Sequence, residues 1–449
     1  MVTLSFLLLF FAIACAFYLA WNIGANDVAN AMGTSVGSGA ITIRRALFVA
    51  GIFEFLGACC FGKGVTNTLE YNTIKIPLFE PRTLIVSMCI TLAATGGWLH
   101  IASFFRWPVS TTHAIVGSLV GVGYAVHGWE GVYWHSLLSI GASWVLSPFL
   151  ACIIAWVLFQ WVQKVIFSSW HPLKAMRWFM PLLAWSLMMI LLFCLHIIGS
   201  AVTFLLCSLF VTLGSLGLTL WWVRKEHVED KLEYPSHLLA LKKAVQDLER
   251  VSMSMEEREE AIDQILMRTQ NLHKKQTEKY QGCSSTFSSV ERGFAILQMC
   301  SACLVAFAHG SNDIANSIAP LKVVISLLFD VRNFALDEAL LVFGGLSIVL
   351  GLATWGWRVI ETVGKKITLL TPSRGFCAEF ATASTILLAS WVGIPLSTTH
   401  SLVGALVGVG WAYGWSSVNL SVVWQILFSW IVTIPCSFFM SASLIHLFR

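Results

Sequence analysis

Charged residues are scarce in this sequence. Lys, Arg, Asp and Glu make up 12% of the 449 residues, while 57% of the residues are hydrophobic. A soluble domain carries roughly a quarter charged residues, so this composition excludes an ordinary soluble protein. A formal net charge of +4 is also too small to indicate a nucleic-acid partner. The composition predicts an integral membrane protein.

Three other absences narrow the class further. The alternating ten-residue strands of an outer-membrane β-barrel are missing. The sequence contains no HExxH, GxSxG or nucleotide-binding loop, so we do not expect an enzyme. The CxxC pair Cys300 and Cys303 has no second ligand pair nearby, and most of the 12 cysteines lie singly in apolar runs. We therefore expect neither a metal centre at the cysteines nor a cofactor.

Long apolar runs are abundant, and they predict an all-α fold with about twelve transmembrane helices. The first run is expected to be a retained span and not a cleaved signal, because no Lys or Arg precedes it. The predicted spans are 2–22, 45–62, 83–105, 110–126, 136–162, 178–198, 201–223, 292–309, 338–357, 376–394, 397–415 and 421–448.

Two short strings occur twice in the chain. GANDVAN at 24–30 recurs as GSNDIAN at 310–316, and PVSTTH at 108–113 recurs as PLSTTH at 395–400. The second string begins 81 positions after the aspartate of the first copy and 82 positions after the aspartate of the second. Two unrelated coincidences would not keep this spacing, so the chain contains an internal repeat.

Basic residues indicate how the repeats are oriented. An N-terminus outside the membrane places Arg44, Arg45, Arg106 and the charged segment 224–291 inside, as the positive-inside rule requires, and it places the C-terminus outside. The two aspartate strings, predicted to end spans one and eight, are then seven crossings apart and run in opposite directions. Inverted repeats of this kind, with broken or re-entrant helices at a central site, are typical of secondary transporters.

We therefore predict three regions: a first repeat with connecting spans at 1–223, a cytoplasmic charged loop at 224–291, and a second repeat at 292–449. The loop carries 11 basic and 13 acidic side chains. Helical spacing after Ser236 and a capping box at Ser254 predict a helical hairpin. A simple linker is the favoured interpretation, and a regulatory or partner-binding role stays open.

Asp27 and Asp313 are the first candidates for chemistry. An ionisable group is costly in hydrocarbon, so each carboxylate should face a cavity or a bound cation. Carboxylate and amide oxygens are the ligands that hard cations prefer. The predicted cation ligands are Asp27, Asp313, Asn26 and Asn312, and the asparagines at 30 and 316 are candidates for both ions. The alternative is a carboxylate that caps a neighbouring helix.

The two Ser-Thr-Thr triplets are candidates for binding an anion. A proline followed by Ser-Thr-Thr favours a helix start, where free N–H groups, hydroxyls and the helix dipole all attract negative charge. The predicted donors are Ser110, Thr111, Thr112, Ser397, Thr398 and Thr399, together with Asn30 and Asn316. Ordinary hydrogen bonding of Ser and Thr within membrane helices is the alternative. His113 and His400 are expected to pack or hydrogen-bond more than to titrate.

No arginine lies in any of the four strings, which fits a carrier that must release its anion. Two carboxylates near a multivalent anion repel it by ~3 kcal/mol per charge pair at about 5 Å and an effective dielectric of roughly 20. A bound cation reverses this effect, so the residues predict symport. The glycines that follow, Gly117 with Gly121 and Gly404 with Gly408, have small-xxx-small spacing and predict close helix packing.

The paired strings resemble the duplicated signature of the inorganic phosphate transporter (PiT) family, over nearly all of the chain outside the central loop. The resemblance implies a twelve-span inverted-repeat carrier of phosphate, dimeric, in the cytoplasmic membrane and driven by sodium ions or protons. It implies site residues at Asp27, Asn30, Asp313, Asn316 and the two Ser-Thr-Thr triplets. It adds Glu54 and Glu379, each a carboxylate in an apolar span. It departs at Met88, where animal members carry another glutamate. Another oxyanion such as sulfate, and a passive anion channel, are the competing interpretations.

Overall fold

The computed structural model describes residues 2–105, 107, 109–196, 212–214, 217, 255–330, 334–357, 360, 370–414 and 417–448. For residues 2–4, 191, 193–196, 255–286 and 334 it describes the backbone alone. The predicted span 201–223 and the predicted helix after Ser236 fall almost wholly outside these residues.

Eleven α-helices make up most of the described part of the chain, and the only β-structure there is an isolated bridge between Ile74 and Val132. Eight of the described helices are long and apolar enough to cross a membrane. The all-helical prediction is confirmed, and the remaining eleven predicted spans each coincide with one helix. The helices are α1 Val2–Gly37, α2 Ile43–Tyr71, α3 Pro81–Phe104, α4 Thr111–His127, α5 Trp134–Val162, α6 Pro172–His196, α7 Met255–Phe329, α8 Phe334–Trp355, α9 Pro372–Val392, α10 Thr398–Tyr413 and α11 Leu420–Phe448.

The helices α1 and α7 run without a break through the two aspartate strings. The prediction that these strings end their spans was wrong, because α1 continues to Gly37 and α7 to Phe329. The glycines at the start of each string do not break the helix. They let it approach a neighbouring backbone instead. The predicted region boundary at 291/292 falls inside the 75-residue helix α7, so it marks a change of composition and not a break in the backbone.

The chain breaks instead before each Ser-Thr-Thr triplet, and this produces two helical hairpins. In the first hairpin, the segment that leads into α3 is paired with the segment that follows α4. Lys75 N donates to Gly131 O at 2.9 Å, and Tyr133 N donates to Thr73 O at 3.1 Å. In the second hairpin, α9 and α10 adjoin where the Arg374 guanidinium lies 3.6 Å from the centre of the Tyr413 ring. The tip of each hairpin therefore carries the triplet.

Hydrogen bonds show that α1 and α7 pass each other antiparallel. Asp27 lies beside His309, whereas Ser38, eleven residues further along α1, donates from Oγ to Oε1 of Gln298, eleven residues earlier on α7, at 2.7 Å. The lead helices of the two sequence repeats thus run in opposite directions at the centre of the molecule.

Each repeat packs its second helix along the lead helix of the other. At these contacts a glycine faces a backbone carbonyl so closely that an added Cβ would overlap it. Small residues permit this kind of helix packing in a membrane. The four contacts place Gly57 against Phe307, Gly310 against Glu54, Gly24 against Ile348 and Gly351 against Trp21.

The predicted small-xxx-small packing is confirmed. Gly117 and Gly121 on α4 lie against the α11 backbone, and Gly404 and Gly408 on α10 lie against the backbone of α5. These contacts fix each triplet-bearing helix on a long neighbour from the opposite repeat.

Candidate functional site

The tips of the two hairpins meet each other between the middles of α1 and α7. Thr112 Oγ1 donates to the carbonyl oxygen of Leu396 at 2.8 Å. The rings of His113 and His400 lie 4.5 Å apart, centre to centre. All six triplet residues are buried. The structure therefore brings the two predicted anion-binding segments into one place.

Each triplet begins a helix in the way the sequence predicts. Ser110 and Ser397 are N-caps with extended backbone, and their Oγ atoms accept from His113 N at 3.3 Å and His400 N at 3.2 Å. The N–H groups of the following two threonines have no acceptor inside their own helix. Two buried helix starts thus direct backbone donors and their dipoles towards the junction of the tips.

The asparagines connect each lead helix to the hairpin of the other repeat. Asn30 Nδ2 donates to Thr399 Oγ1 at 2.8 Å, and Asn316 Nδ2 donates to Thr111 Oγ1 at 3.4 Å. Each of these two asparagines therefore contacts a predicted donor that lies more than 200 positions away in sequence.

The two aspartates lie at the same junction. Asp27 Oδ1 accepts from Asn26 Nδ2 at 3.0 Å and from Asn30 Nδ2 at 3.1 Å. Asp313 Oδ2 accepts from Thr398 Oγ1 at 3.0 Å, which connects a cation candidate directly to an anion candidate. Both carboxylates are at most 1% exposed.

The remaining asparagine, Asn312, completes a pattern shared by the two repeats. We assign its amide so that Oδ1 accepts from Ser390 Oγ at 3.1 Å and Nδ2 donates to Asp313 Oδ1 at 3.3 Å. Asn26 makes the corresponding contacts in the first repeat, where its Oδ1 accepts from Ser103 Oγ at 3.3 Å and its Nδ2 donates to Asp27. Such amide orientations are assigned from the hydrogen-bond network, and the agreement between repeats supports this one.

His309 lies among the carboxylates and was not predicted from the sequence. Its Nε2 lies 2.9 Å from Asp313 Oδ2 and 3.8 Å from Asp27 Oδ2, while its Nδ1 lies 3.3 Å from Glu54 Oε1. All four side chains are buried. The predicted carboxylate Glu54 therefore reaches the aspartates through this imidazole.

Several buried acceptors at this junction have no hydrogen-bond partner among the described residues. They are Asp27 Oδ2, Asn316 Oδ1 and both carboxylate oxygens of Glu54. Buried polar atoms of this kind are costly unless a hydrogen bond or an ion satisfies them. All of these atoms are carboxylate or amide oxygens, which are suitable ligands for a small hard cation.

Glu379 lies in a second cluster, apart from the aspartates. Its Oε1 accepts from Thr34 Oγ1 and Ser35 Oγ, both at 2.6 Å, and from Gln298 Nε2 at 3.1 Å, while Ser301 Oγ donates to Oε2. Thr34 lies seven residues beyond Asp27 on α1, which is about 10 Å along the helix axis. The structure therefore surrounds this predicted carboxylate with hydroxyl and amide partners, which come from tertiary packing.

The two histidines that follow the triplets pack against aromatic rings. His113 lies 4.0 Å from the Trp144 ring and His400 lies 3.4 Å from the Trp430 ring, centre to centre. His400 Nδ1 also lies 3.0 Å from the carbonyl oxygen of Trp144. These contacts hold the two hairpin helices against α5 and α11.

Comparison with known proteins identifies the family. A sequence model described as the phosphate transporter family matches residues 23–441, nearly the whole chain. The chain belongs to the phosphate transporter family. Its members are transporters and not enzymes, which agrees with the apolar helices of this chain.

Individual members of the phosphate transporter family align along almost the full length. A Chlamydia pneumoniae protein named as a phosphate permease is 40% identical, with 97% of this chain and 96% of that protein covered. The chloroplastic inorganic phosphate transporter 2-1 of Arabidopsis thaliana is 39% identical, with 93% of this chain and 68% of that protein covered. A solved structure of a sodium-dependent phosphate transporter is similar with a TM-score of 0.77 at 33% identity, covering 98% of both chains.

The sequence did contain a signal for His309 that motif matching overlooks. His309 stands directly before the second string, and its counterpart before the first string is Ile23, so comparison of the repeats does not select it. An ionisable side chain inside an apolar span is a functional candidate by itself, and that criterion finds His309. The hydroxyls around Glu379 carry no comparable signal, because Ser and Thr are common in membrane helices.

Proposed function

We propose that this member of the phosphate transporter family is a symporter that couples phosphate movement to a cation. The observation that carries the proposal is the meeting of two buried helix starts with two buried aspartates at one junction. Helix starts attract an anion, and orphaned carboxylate oxygens attract a cation. A site that binds phosphate only together with a cation couples the transport of the two ions.

In this proposal phosphate is held by the hydroxyls and N–H groups of the two triplets. One hairpin contributes Ser110, Thr111 and Thr112, and the other contributes Ser397, Thr398 and Thr399. The amides of Asn30 and Asn316 complete the binding site. None of the four sequence strings contains Lys or Arg. Neutral donors bind an oxyanion without the bidentate clamp that would slow its release.

The aspartates make phosphate binding depend on the cation. Thr398 Oγ1 lies 3.0 Å from Asp313 Oδ2, so an anion bound at this helix start sits at roughly 5 Å from the carboxylate. At that distance the repulsion is ~3 kcal/mol per charge pair for an effective dielectric of roughly 20. A cation bound between the aspartates cancels this repulsion, so cation binding precedes or accompanies phosphate binding.

The cation is assigned to two clusters. The first contains Asp27 and Asp313 with Asn26, Asn312 and Glu54, and the second contains Glu379 with its hydroxyl donors. Sodium is the favoured coupling ion because both clusters are dominated by hard oxygens and because the similar solved structure is that of a sodium-dependent transporter. Protons are the alternative.

Antiparallel lead helices with exchanged hairpin contacts support transport by alternating access, in which inverted repeats rock around a site at the bilayer midplane. We place the protein in the cytoplasmic membrane as a homodimer, with both termini outside and the loop 224–291 inside. This orientation follows the positive-inside rule.

Uptake of labelled phosphate into proteoliposomes tests the proposal. Uptake should require an inward sodium or proton gradient, and unlabelled phosphate should compete better than sulfate. Absence of phosphate uptake under every gradient would reject the proposal. Stronger competition by sulfate would indicate a different oxyanion, and gradient-independent flux that survives Asp27→Asn would indicate a channel.

A further inference from the structure

The imidazole of His309 gives the cation centre a nitrogen ligand. Among the described residues, Asp27, His309 and Asp313 are the one group of three potential metal ligands whose atoms all lie within 4.8 Å of one another. All three side chains are buried. Carboxylate oxygens alone suit sodium, but the combination of two carboxylates and one imidazole suits zinc and similar divalent ions.

The three potential ligand atoms lie close to one another. His309 Nε2 lies 2.9 Å from Asp313 Oδ2 and 3.8 Å from Asp27 Oδ2. Neither His309 Nε2 nor Asp27 Oδ2 has a hydrogen-bond partner among the described residues. Atoms bound to one zinc ion at about 2.1 Å lie roughly 3 to 3.5 Å from each other and point at the metal, not at each other.

The second nitrogen of His309 also fits this arrangement. Nδ1 lies 3.3 Å from Glu54 Oε1. A ligating histidine usually presents its other ring nitrogen to a carboxylate, which fixes the tautomer and raises the basicity of the ligand. Glu54 is at the position of that outer carboxylate.

The internal repeat provides a comparison within the same molecule. The contact between Gly310 and the Glu54 carbonyl is repeated as the contact between Gly24 and the Ile348 carbonyl. The positions equivalent to His309 and Glu54 are therefore Ile23 and Ile348, which cannot bind a metal. The fold needs only apolar side chains at these two positions, so the buried His–Glu pair is not a requirement of helix packing.

We propose that Asp27, His309 and Asp313 form a binding site for a divalent transition-metal ion such as Zn²⁺, with Glu54 orienting the imidazole. Binding of the metal itself is independent of the proposed symport. Its consequence for transport rests on the proposed function: because both aspartates are shared, Zn²⁺ excludes the coupling cation and inhibits phosphate uptake.

Titration of the purified full chain in detergent with Co²⁺, followed by visible absorption and displacement with Zn²⁺, tests the site without phosphate or a gradient. The native protein should bind one Co²⁺ that Zn²⁺ displaces. Loss of an outer carboxylate typically weakens metal binding by about 10- to 100-fold, so Glu54→Gln should fall in that range and His309→Gln should lose at least about 100-fold. His446→Gln, at an exposed position near the end of α11, is the matched control and should bind as the native protein does.

Thermal unfolding of His309→Gln separates metal binding from a structural effect, because a variant that keeps the native midpoint has lost the ligand and not the fold. No saturable Co²⁺ binding by the native protein, or native Co²⁺ affinity in His309→Gln or Glu54→Gln, would each overturn the proposal. Failure of native phosphate uptake would reject the proposed symport and leave the metal titration to be judged separately.

Discussion

Replacing Asp313 with asparagine tests the electrostatic basis of coupling. The substitution removes one negative charge and keeps the size of the side chain. In the native protein Thr398 Oγ1 donates to Asp313 Oδ2 at 3.0 Å, and the amide oxygen of asparagine can accept the same hydrogen bond. Because the charge is buried and close to the helix start, its removal should change phosphate affinity even before any cation is added.

The expected magnitude follows from the distance. At about 5 Å and an effective dielectric of roughly 20, one carboxylate repels each anion charge by ~3 kcal/mol. This corresponds to a change in affinity on the order of 100-fold. Without sodium, Asp313→Asn should therefore bind phosphate on the order of 100-fold more tightly than the native protein, and added sodium should give it little further gain. Coupled uptake by the variant should fall to background.

Equilibrium binding of labelled phosphate to the purified protein, with choline replacing sodium in the ion-free samples, measures both effects. Asp330→Asn is the matched control, because Asp330 is exposed and has φ 52°, a conformation that asparagine also adopts readily. Retention of the native sodium dependence by Asp313→Asn would refute the assignment of this carboxylate to the cation.

Three further substitutions test two packing contacts and the Glu379 cluster. Thr112→Val removes a hydroxyl that donates to the buried Leu396 carbonyl, which keeps a second donor in Asn312 Nδ2 at 3.1 Å, and should destabilise the protein by about 0.5–1.5 kcal/mol in thermal unfolding; an unchanged midpoint would contradict the contact between the tips. Gly57→Leu should prevent folding, seen as aggregation in size-exclusion chromatography, whereas Gly141→Leu, which meets open space, should elute as the native protein does. Equal behaviour of the two glycine variants would contradict the close packing of α2 on α7. Glu379→Gln turns an amide donor towards hydroxyl donors, so it should raise the sodium concentration for half-maximal uptake; an unchanged sodium requirement would exclude Glu379 from the cation sites.

Much of the fold could be predicted from local patterns. Apolar runs mark membrane helices because backbone groups in lipid must bond within their own segment. The Ser-Thr-Thr starts and the glycine spacings also act locally, and the structure shows the expected N-caps and close contacts. The lead helices were harder, because the polar strings resemble helix ends although their glycines and alanines continue the helix.

The sequence by itself determined the membrane class, the duplicated strings and the candidate residues, since hydropathy and helix starts are properties of short segments. The tertiary structure alone decided which of these residues meet. The antiparallel passage of α1 and α7 brings Asp27 to His309, and the exchange of hairpins between repeats brings Asn30 to Thr399. A buried polar group is satisfied by whatever lies nearest in space, and that neighbour is set by helix packing and not by distance along the chain.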